Sequence, residues 1–145
     1  MDHWIRLVDL QTLKRRQEIL DLGNSQDRQG LTRGTCIMST KFSGDGNEIV
    51  CATKSAELLC YDLVSNQMIS RLKTTHTDDI NSVCFVNRQH SNVILTGSDD
   101  SLVKIWDRRA LNSNRPAGVF VGHAEGIANV CSKGDGIQVA SNSKD

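Results

Sequence analysis

The chain repeats itself at an offset of about 45–47 residues, and this repeat restricts the possible folds more than any other feature of the sequence. Residues 49–62 (IVCATKSAELLCYD) align without a gap on residues 94–107 (ILTGSDDSLVKIWD). Residues 75–85 (THTDDINSVCF) align in the same way on residues 122–132 (GHAEGIANVCS). A period of this length predicts one small structural unit that is used several times in succession.

Each unit consists of short apolar or β-branched runs separated by turn-rich segments, and no segment has a sustained helical period. In the best-defined unit the predicted strands are residues 80–86, 93–97, 102–106 and 118–121. Four short strands in a unit of about 40–45 residues are typical of a β-propeller blade, whose strands are covered on both faces. The sequence therefore predicts an all-β fold, a partial propeller of about three blades of four-stranded antiparallel sheets.

The repeat also predicts where the units begin and end. The expected units are residues 1–16, 36–74, 75–121 and 122–145, with an extended polar loop over residues 17–35. A closed seven-bladed ring would need roughly 300 residues at this period. We therefore expect the isolated 145-residue chain to expose strand edges and apolar blade faces, and to aggregate.

Trp106 ends an apolar run and is predicted to be buried between sheets, where its indole N–H needs a hydrogen-bond partner. His76 and Asp100 lie upstream at spacings that place them near the same turn, with Ser98 or Thr96 between them. Such a network would satisfy each buried polar group with another. The predicted members are His76, Ser98, Asp100 and Trp106, with His123 and Asp145 at equivalent positions one unit later.

These residues resemble the WD40 repeat, and the resemblance covers nearly the whole chain. Trp106-Asp107-Arg108-Arg109 further resembles the WDxR box of substrate receptors of cullin-4 ubiquitin ligases. In that family the box arginine helps to dock the propeller onto the damaged-DNA-binding-protein (DDB) adaptor. The resemblance implies an adaptor-binding site formed by Trp106, Asp107 and Arg109, with the Arg109 side chain free at the rim and Arg108 at a variable position.

Two longer stretches, residues 76–109 and 122–145, are similar to the DDB- and cullin-4-associated factor eleven family of these receptors. That resemblance implies a RING E3 ligase substrate receptor, whose partners are the DDB-type adaptor and a substrate protein that the sequence does not identify. A generic WD40 scaffold unrelated to ubiquitination is the alternative. It shares the fold and the repeats, and differs in whether Arg109 meets the adaptor.

Composition argues against several other classes. With 17 basic and 17 acidic residues, the chain has no net charge to favour a nucleic acid or an acidic membrane as its main partner. No catalytic residue, metal site or cofactor is predicted, because no histidine has partners at metal-ligand spacing and His76 has a place in the repeat. The five cysteines include no C-x-x-C pair, which favours free thiols in an intracellular setting, nuclear or cytoplasmic.

Overall fold

The computed structural model describes residues 4–11, 18–21, 36–73 and 75–145. The chain divides into two compact units, Met1–Cys36 and Ile37–Asp145. The regular elements of the described residues are antiparallel β-strands and one short 3-10 helix. The expected all-β fold is confirmed.

The first unit contains a two-stranded antiparallel sheet of β1 (Trp4–Leu7) and β2 (Glu18–Asp21). The strand β2 corrects the expected loop over residues 17–35, because four of those residues form a strand. The sequence there contains the adjacent apolar residues Ile19 and Leu20, enough for a four-residue strand once β1 offers a partner. The rest of the expected loop lies outside the described residues.

The second unit contains two four-stranded sheets and one two-stranded sheet, all built from strands that pair in sequence order. The first sheet consists of β3 (Ile37–Phe42), β4 (Glu48–Thr53), β5 (Leu58–Asp62) and β6 (Gln67–Leu72). The second consists of β7 (Ile80–Phe85), β8 (Val93–Ser98), β9 (Val103–Asp107) and β10 (Gly118–Phe120). The third consists of β11 (Ile127–Ser132) and β12 (Val139–Ser143).

The sheets of this unit pack face to face through apolar residues of their strands. Val50, Leu58, Ile80, Ile94 and Trp106 belong to a buried cluster that joins the first sheet to the second. Burial on both faces explains why the strands appear in the sequence as continuous apolar runs.

A second buried cluster joins Leu95 and Val103 of the second sheet to Ile127 and Val130 of the third. The first strands of successive sheets are neighbours, since β7 lies beside both β3 and β11. This is the arrangement of blades around a propeller axis. The sheets therefore place their turns at two opposite ends, and these ends carry the candidate sites.

Candidate functional site

Trp106 is the centre of a buried hydrogen-bond network in the second sheet. Its side chain is only 1% exposed, and its indole nitrogen donates to the hydroxyl of Thr96 at 2.9 Å. The Thr96 hydroxyl also lies 2.7 Å from Nε2 of His76, whose Nδ1 is 2.9 Å from the Asp100 carboxylate. Because an ionised carboxylate can only accept, the neutral His76 carries its proton on Nδ1 and donates it to Asp100. Nε2 is then an acceptor and takes the proton of the Thr96 hydroxyl, which in turn accepts from the indole.

Thr96, and not Ser98, links the indole of Trp106 to the imidazole of His76. Residues Ile94 and Trp106 are directly opposite on β8 and β9, which makes Thr96 the diagonal neighbour of the indole. Ser98 lies two residues further towards the turn, beyond the last pair of this register, Gly97 with Val103. Its hydroxyl donates to the carbonyl of Asp78 at 3.2 Å and accepts from the Asp100 amide at 3.2 Å. Ser98 therefore positions the Asp100 turn and does not touch the indole.

The charge balance of this network depends on burial. Burial lowers the pKa of His76 below its ordinary 6.5, and the attraction of Asp100 only partly opposes the effect. Burial alone would raise the pKa of Asp100, but hydrogen bonds from the Thr77 amide, from His76 and from the Leu102 amide lower it overall. The pair is therefore a neutral imidazole held by a carboxylate that also closes the turn.

The same arrangement recurs in the third sheet in an exposed form. Nδ1 of His123 lies 3.2 Å from the Asp145 carboxylate, and Nε2 lies 3.0 Å from the Ser141 hydroxyl. Asp145 also accepts from the backbone amide of Ala124 at 2.9 Å. Ser141 occupies the position of Thr96 in the repeat, which explains why the histidine finds a hydroxyl in both sheets.

The first sheet holds itself together differently, because the repeat position of Trp106 is Tyr61 and that of Asp100 is Ser55. Tyr61 donates its phenolic proton to the side chain of Asn66 at 2.6 Å. A buried ion pair between Glu57 and Arg71, 2.9 Å apart, ties the turn before β5 to β6. The alignment did not predict this pair, and the only signal was one acidic residue preceding the apolar run of β5.

The WDxR box lies where β9 ends and the 3-10 helix Arg108–Ser113 begins. The Asp107 carboxylate accepts from the Arg109 amide at 3.0 Å and caps the helix. It also accepts from Nε and Nη2 of Arg109 at 3.0 and 2.7 Å. The Arg109 side chain contact, then its amide, lower the pKa of Asp107 to about 2. The expectation of a free Arg109 side chain is therefore wrong.

Arg109 nevertheless remains accessible to a partner. Its side chain is 72% exposed, and its contacts with the Asp107 carboxylate use Nε and Nη2 but not Nη1. The bidentate contact with Asp107 uses one edge of the guanidinium fork and fixes its plane. A planar donor group that is exposed and already oriented is suited to binding a carboxylate or carbonyl of another protein.

Arg108 points into the protein and is a structural residue. Its side chain is 18% exposed, forms an ion pair with Glu48 at the start of β4, and donates from Nη1 to the carbonyl of Ser91 at 3.2 Å. Its amide donates to the carbonyl of Asn92 at 2.8 Å. The contacts join the end of β9 to the β7–β8 turn and to the first sheet, so Arg108 is not a solvated arginine.

A groove of about 340 Å³ lies beside the box and is lined by Ile69, Ser70, Asn92, Arg108, Arg109 and Leu111. Half of the Ile69 side chain is exposed there. The three residues predicted as one site therefore separate into two roles: Asp107 and Arg109 lie at the surface beside the groove, whereas Trp106 is buried in the network.

In the part of the chain that the structure describes, no group of three or more histidine, cysteine or acidic side chains is arranged to hold a metal ion. Over the same residues, no helix has the length and apolar character required to cross a membrane. The described contacts of the network and box are hydrogen bonds and ion pairs suited to packing and binding.

Residues 68–107 match the family model of the WD domain, G-beta repeat (WD40). The fold is similar to that of the RRP9 WD40 repeats, with a TM-score of 0.65 and 16% identity over 77% of this chain and 33% of that one. It is similar to the structure of U3-55K, with a TM-score of 0.65 and 15% identity over 77% of this chain and 34% of that one. Residues 68–107 therefore form a WD40 repeat, and the sheets of the second unit have the propeller-blade fold of these two structures.

Two curated relatives match most of this chain at higher sequence identity than the solved structures do. The chain is 43% identical to the LEC14B protein of Lithospermum erythrorhizon over 123 residues, 84% of this chain and 25% of that protein. It is 40% identical to the DDB1- and CUL4-associated factor 11 homolog of Caenorhabditis elegans over 111 residues, 75% of this chain and 19% of that protein. The predicted resemblance is confirmed, and the chain spans about a quarter or less of the length of these relatives.

Proposed function

We propose that this chain is part of a substrate receptor of a cullin-4 RING ubiquitin ligase, and that Arg109 docks it onto a DDB-type adaptor. The observation that carries the proposal is the geometry of the box: Asp107 holds the Arg109 guanidinium at 2.7 and 3.0 Å while the side chain stays 72% exposed. The name of the 40% identical relative from Caenorhabditis elegans, a DDB1- and CUL4-associated factor, supports the choice of partner.

In this proposal the members of the WDxR box have separate tasks. Arg109 contacts the adaptor, and Asp107 is a positioning residue that fixes the arginine plane and caps the 3-10 helix. Trp106 acts at a distance, because its network with Thr96 and His76 holds the end of β9 in place. The exposed Ile69 in the neighbouring groove offers apolar contact area next to the charge.

The test is a pull-down of purified DDB-type adaptor by a full-length parent protein that contains this chain, and by its variants, each checked for β structure by circular dichroism. Arg109→Ala is expected to weaken adaptor binding by about ten- to hundredfold, the effect of losing one oriented charge contact at an interface. Arg109→Lys should recover only part of the binding, since an ammonium lacks the planar fork. Asp107→Asn should weaken binding less than Arg109→Ala, because the arginine remains but is less well held.

The matched control is Lys133→Ala, which removes an exposed cation whose carboxylate partner is Asp135, away from the box. Its binding should equal that of the unaltered parent protein. Equal binding by Arg109→Ala and Lys133→Ala, or no adaptor binding by the unaltered parent protein, would contradict the proposal.

The alternative function is a WD40 scaffold without a link to ubiquitination. The helix cap favours it, because the contacts between Asp107 and Arg109 have a sufficient explanation in closing the turn after β9. Under this alternative, Arg109→Ala changes neither adaptor binding nor the set of proteins that the chain captures. In both functions the chain is a non-catalytic binding protein of the nucleus or cytoplasm.

A further inference from the structure

A second groove, of about 320 Å³, opens where the first strands of the three sheets in the second unit lie side by side. Phe42 at the end of β3, Phe85 at the end of β7 and Val130 of β11 contribute its apolar lining. Phe42 is 57% exposed, although it is the largest side chain of its strand. None of these residues belongs to the WDxR box or to the Trp106 network.

Two cations, Lys41 and Arg88, line the same groove, and its lining includes no carboxylate. Among the described residues, neither cation has an acidic side chain within the 4.0 Å that defines an ion pair. The acids of the neighbouring turns are engaged elsewhere, since Asp45 accepts from Ser43 and Asn47, and Asp135 is paired with Lys133. The groove therefore carries uncompensated positive charge.

The amide side chains of the lining add unused donors. Asn87 accepts through its side-chain oxygen from the amides of Gln89 and His90 at 2.7 and 3.3 Å. Asn129 accepts through its oxygen from the hydroxyl of Ser82 at 2.8 Å. Each amide nitrogen is then left with donors that no described residue uses. The groove offers an ammonium, a guanidinium and two amides, all of them hydrogen-bond donors.

The backbone around Arg88 is held in place by glycines of both neighbouring turns. A Cβ on Gly44 would lie 1.6 Å from the carbonyl oxygen of Arg88, so only glycine permits this approach. On the other side Gly134, at a φ of +89°, lies beneath the Arg88 side chain and accepts from its amide at 3.2 Å. This fixed backbone lowers the entropy that would be lost when a ligand binds the arginine.

We propose that this groove, which we call the Lys41–Arg88 groove, binds an acidic peptide segment of a partner protein. Carboxylates of the peptide meet Lys41 and Arg88, its backbone carbonyls accept from Asn87 and Asn129, and an apolar side chain covers Phe42. Charge complementarity selects this occupant, because the lining has two cations, two amide donors and no carboxylate, with apolar residues among them. The proposal uses none of the box residues and does not depend on adaptor binding.

A peptide is favoured over a nucleic acid by the small number of charges. A polyanionic backbone is bound by many phosphate contacts along its length, whereas this groove has two cations in a chain without net charge. A peptide whose acidic side chains alternate with apolar ones would place its carboxylates on Lys41 and Arg88 and its apolar side chains on the exposed ring of Phe42.

The experiment measures fluorescence anisotropy of a fluorescein-labelled peptide of alternating glutamate and leucine, titrated with the purified chain. Lys41→Gln and Arg88→Gln are each expected to weaken binding by about tenfold, which corresponds to the loss of one charge-assisted contact. Lys133→Gln is the matched control, because this exposed lysine is paired with Asp135 and does not line the groove. Its affinity should equal that of the unaltered chain, and added salt should weaken binding except in a Lys41→Gln/Arg88→Gln double variant.

Three comparisons decide the result. Peptides with glutamine or lysine in place of glutamate should bind at least about tenfold more weakly, and an oligouridine of similar charge should not compete. The proposal is overturned if the unaltered chain does not bind the acidic peptide, if Lys41→Gln behaves like Lys133→Gln, or if the oligouridine binds more tightly. Lys41 is exposed on β3, so its substitution tests the groove without risk to the fold.

Discussion

The indole nitrogen of Trp106 and the hydroxyl of Thr96 form a 2.9 Å hydrogen bond in the interior of the second sheet, and both side chains are almost completely buried. The same hydroxyl lies 2.7 Å from His76, so one oxygen atom satisfies two buried nitrogens. Removing that oxygen without changing the volume of the side chain separates the contribution of the hydrogen bonds to the free energy of unfolding from the contribution of packing.

Thr96→Val is therefore expected to lower the free energy of unfolding by about 2–4 kcal/mol, because it leaves two buried polar groups without a partner. Urea denaturation monitored by Trp fluorescence and circular dichroism measures the change. Thr40→Val, an identical substitution at an exposed position on β3, is the control and should change stability by less than about 0.5 kcal/mol. Equal effects of the two substitutions would show that the hydroxyl of Thr96 contributes nothing to the fold.

The pKa of His76 predicts how stability depends on pH. Since burial lowers this pKa below 6.5 in the folded chain, the unfolded chain takes up a proton first as the pH falls. The contribution of His76 is thus fully present above pH 6.5 and is progressively lost as the pH falls below it towards the folded pKa. Unfolding free energies measured between about pH 7.5 and 5 should decrease with acidity.

Two histidine variants test whether His76 causes this pH dependence of stability. His76→Gln should flatten the decrease below pH 6.5, because the group that titrates is gone. His90→Gln, at an exposed position in the β7–β8 turn, should retain it. An unchanged slope in His76→Gln would assign the pH dependence to other groups.

The fold was largely predictable from the period, because a repeat fixes strand order and spacing even where single strands are short. Residues 80–86, 93–97 and 102–106 were predicted as strands, and β7, β8 and β9 agree with them to within one residue at either end. The strand β2 was missed because it has only four residues within a long polar stretch, and its pairing with β1 is a tertiary property that local composition does not encode.

The candidate site was less predictable, because sequence spacing shows which residues are near one another but not which atoms meet. Ser98 and Thr96 point to the same face of β8, and only the register with β9 assigns the indole to Thr96. Likewise, Arg108 and Arg109 are adjacent and identical in type. The start of the 3-10 helix sends one towards Glu48 and leaves the other at the surface with Asp107.

That divergence predicts stability effects of different size for the two arginines. Arg108→Ala should lower the free energy of unfolding by about 1–3 kcal/mol, because it removes contacts to Glu48 and Ser91 and leaves the carboxylate partly buried. Arg109→Ala should leave it nearly unchanged, since the lost ion pair is exposed. Urea denaturation of both variants provides the comparison, and a larger loss in Arg109→Ala would contradict the two roles assigned here.

The side chains of Glu57 and Arg71 are predicted to have a large coupling energy in the stability of the first sheet. Arg71→Met keeps the aliphatic stem but leaves the buried Glu57 carboxylate unpaired, at an expected cost of about 2–4 kcal/mol. Adding Glu57→Gln should recover part of this loss, so that a double-mutant cycle yields a coupling energy above about 1 kcal/mol. The exposed pair of Lys54 and Asp79, whose charged atoms are 4.0 Å apart, is the comparison and should couple by less than about 1 kcal/mol. Indistinguishable coupling energies would argue against a special role for the buried pair.

A substitution at Gly97 tests the contact between the second and third sheets. A Cβ at this position of β8 would lie 2.5 Å from Cγ2 of Ile127 and 2.8 Å from Cγ1 of Val130, both of which are buried on β11. Gly97→Ala should therefore force the two sheets apart locally and lower the free energy of unfolding by about 1–3 kcal/mol. Gly122→Ala is the control, because no atom lies within 4 Å of its added Cβ. If Gly97→Ala were neutral or stabilising in urea denaturation, the close packing of β8 against β11 would be wrong. A second change, Ile127→Ala, removes the Cγ2 atom that meets the added Cβ, so Gly97→Ala should cost less stability in an Ile127→Ala background than in the unaltered chain.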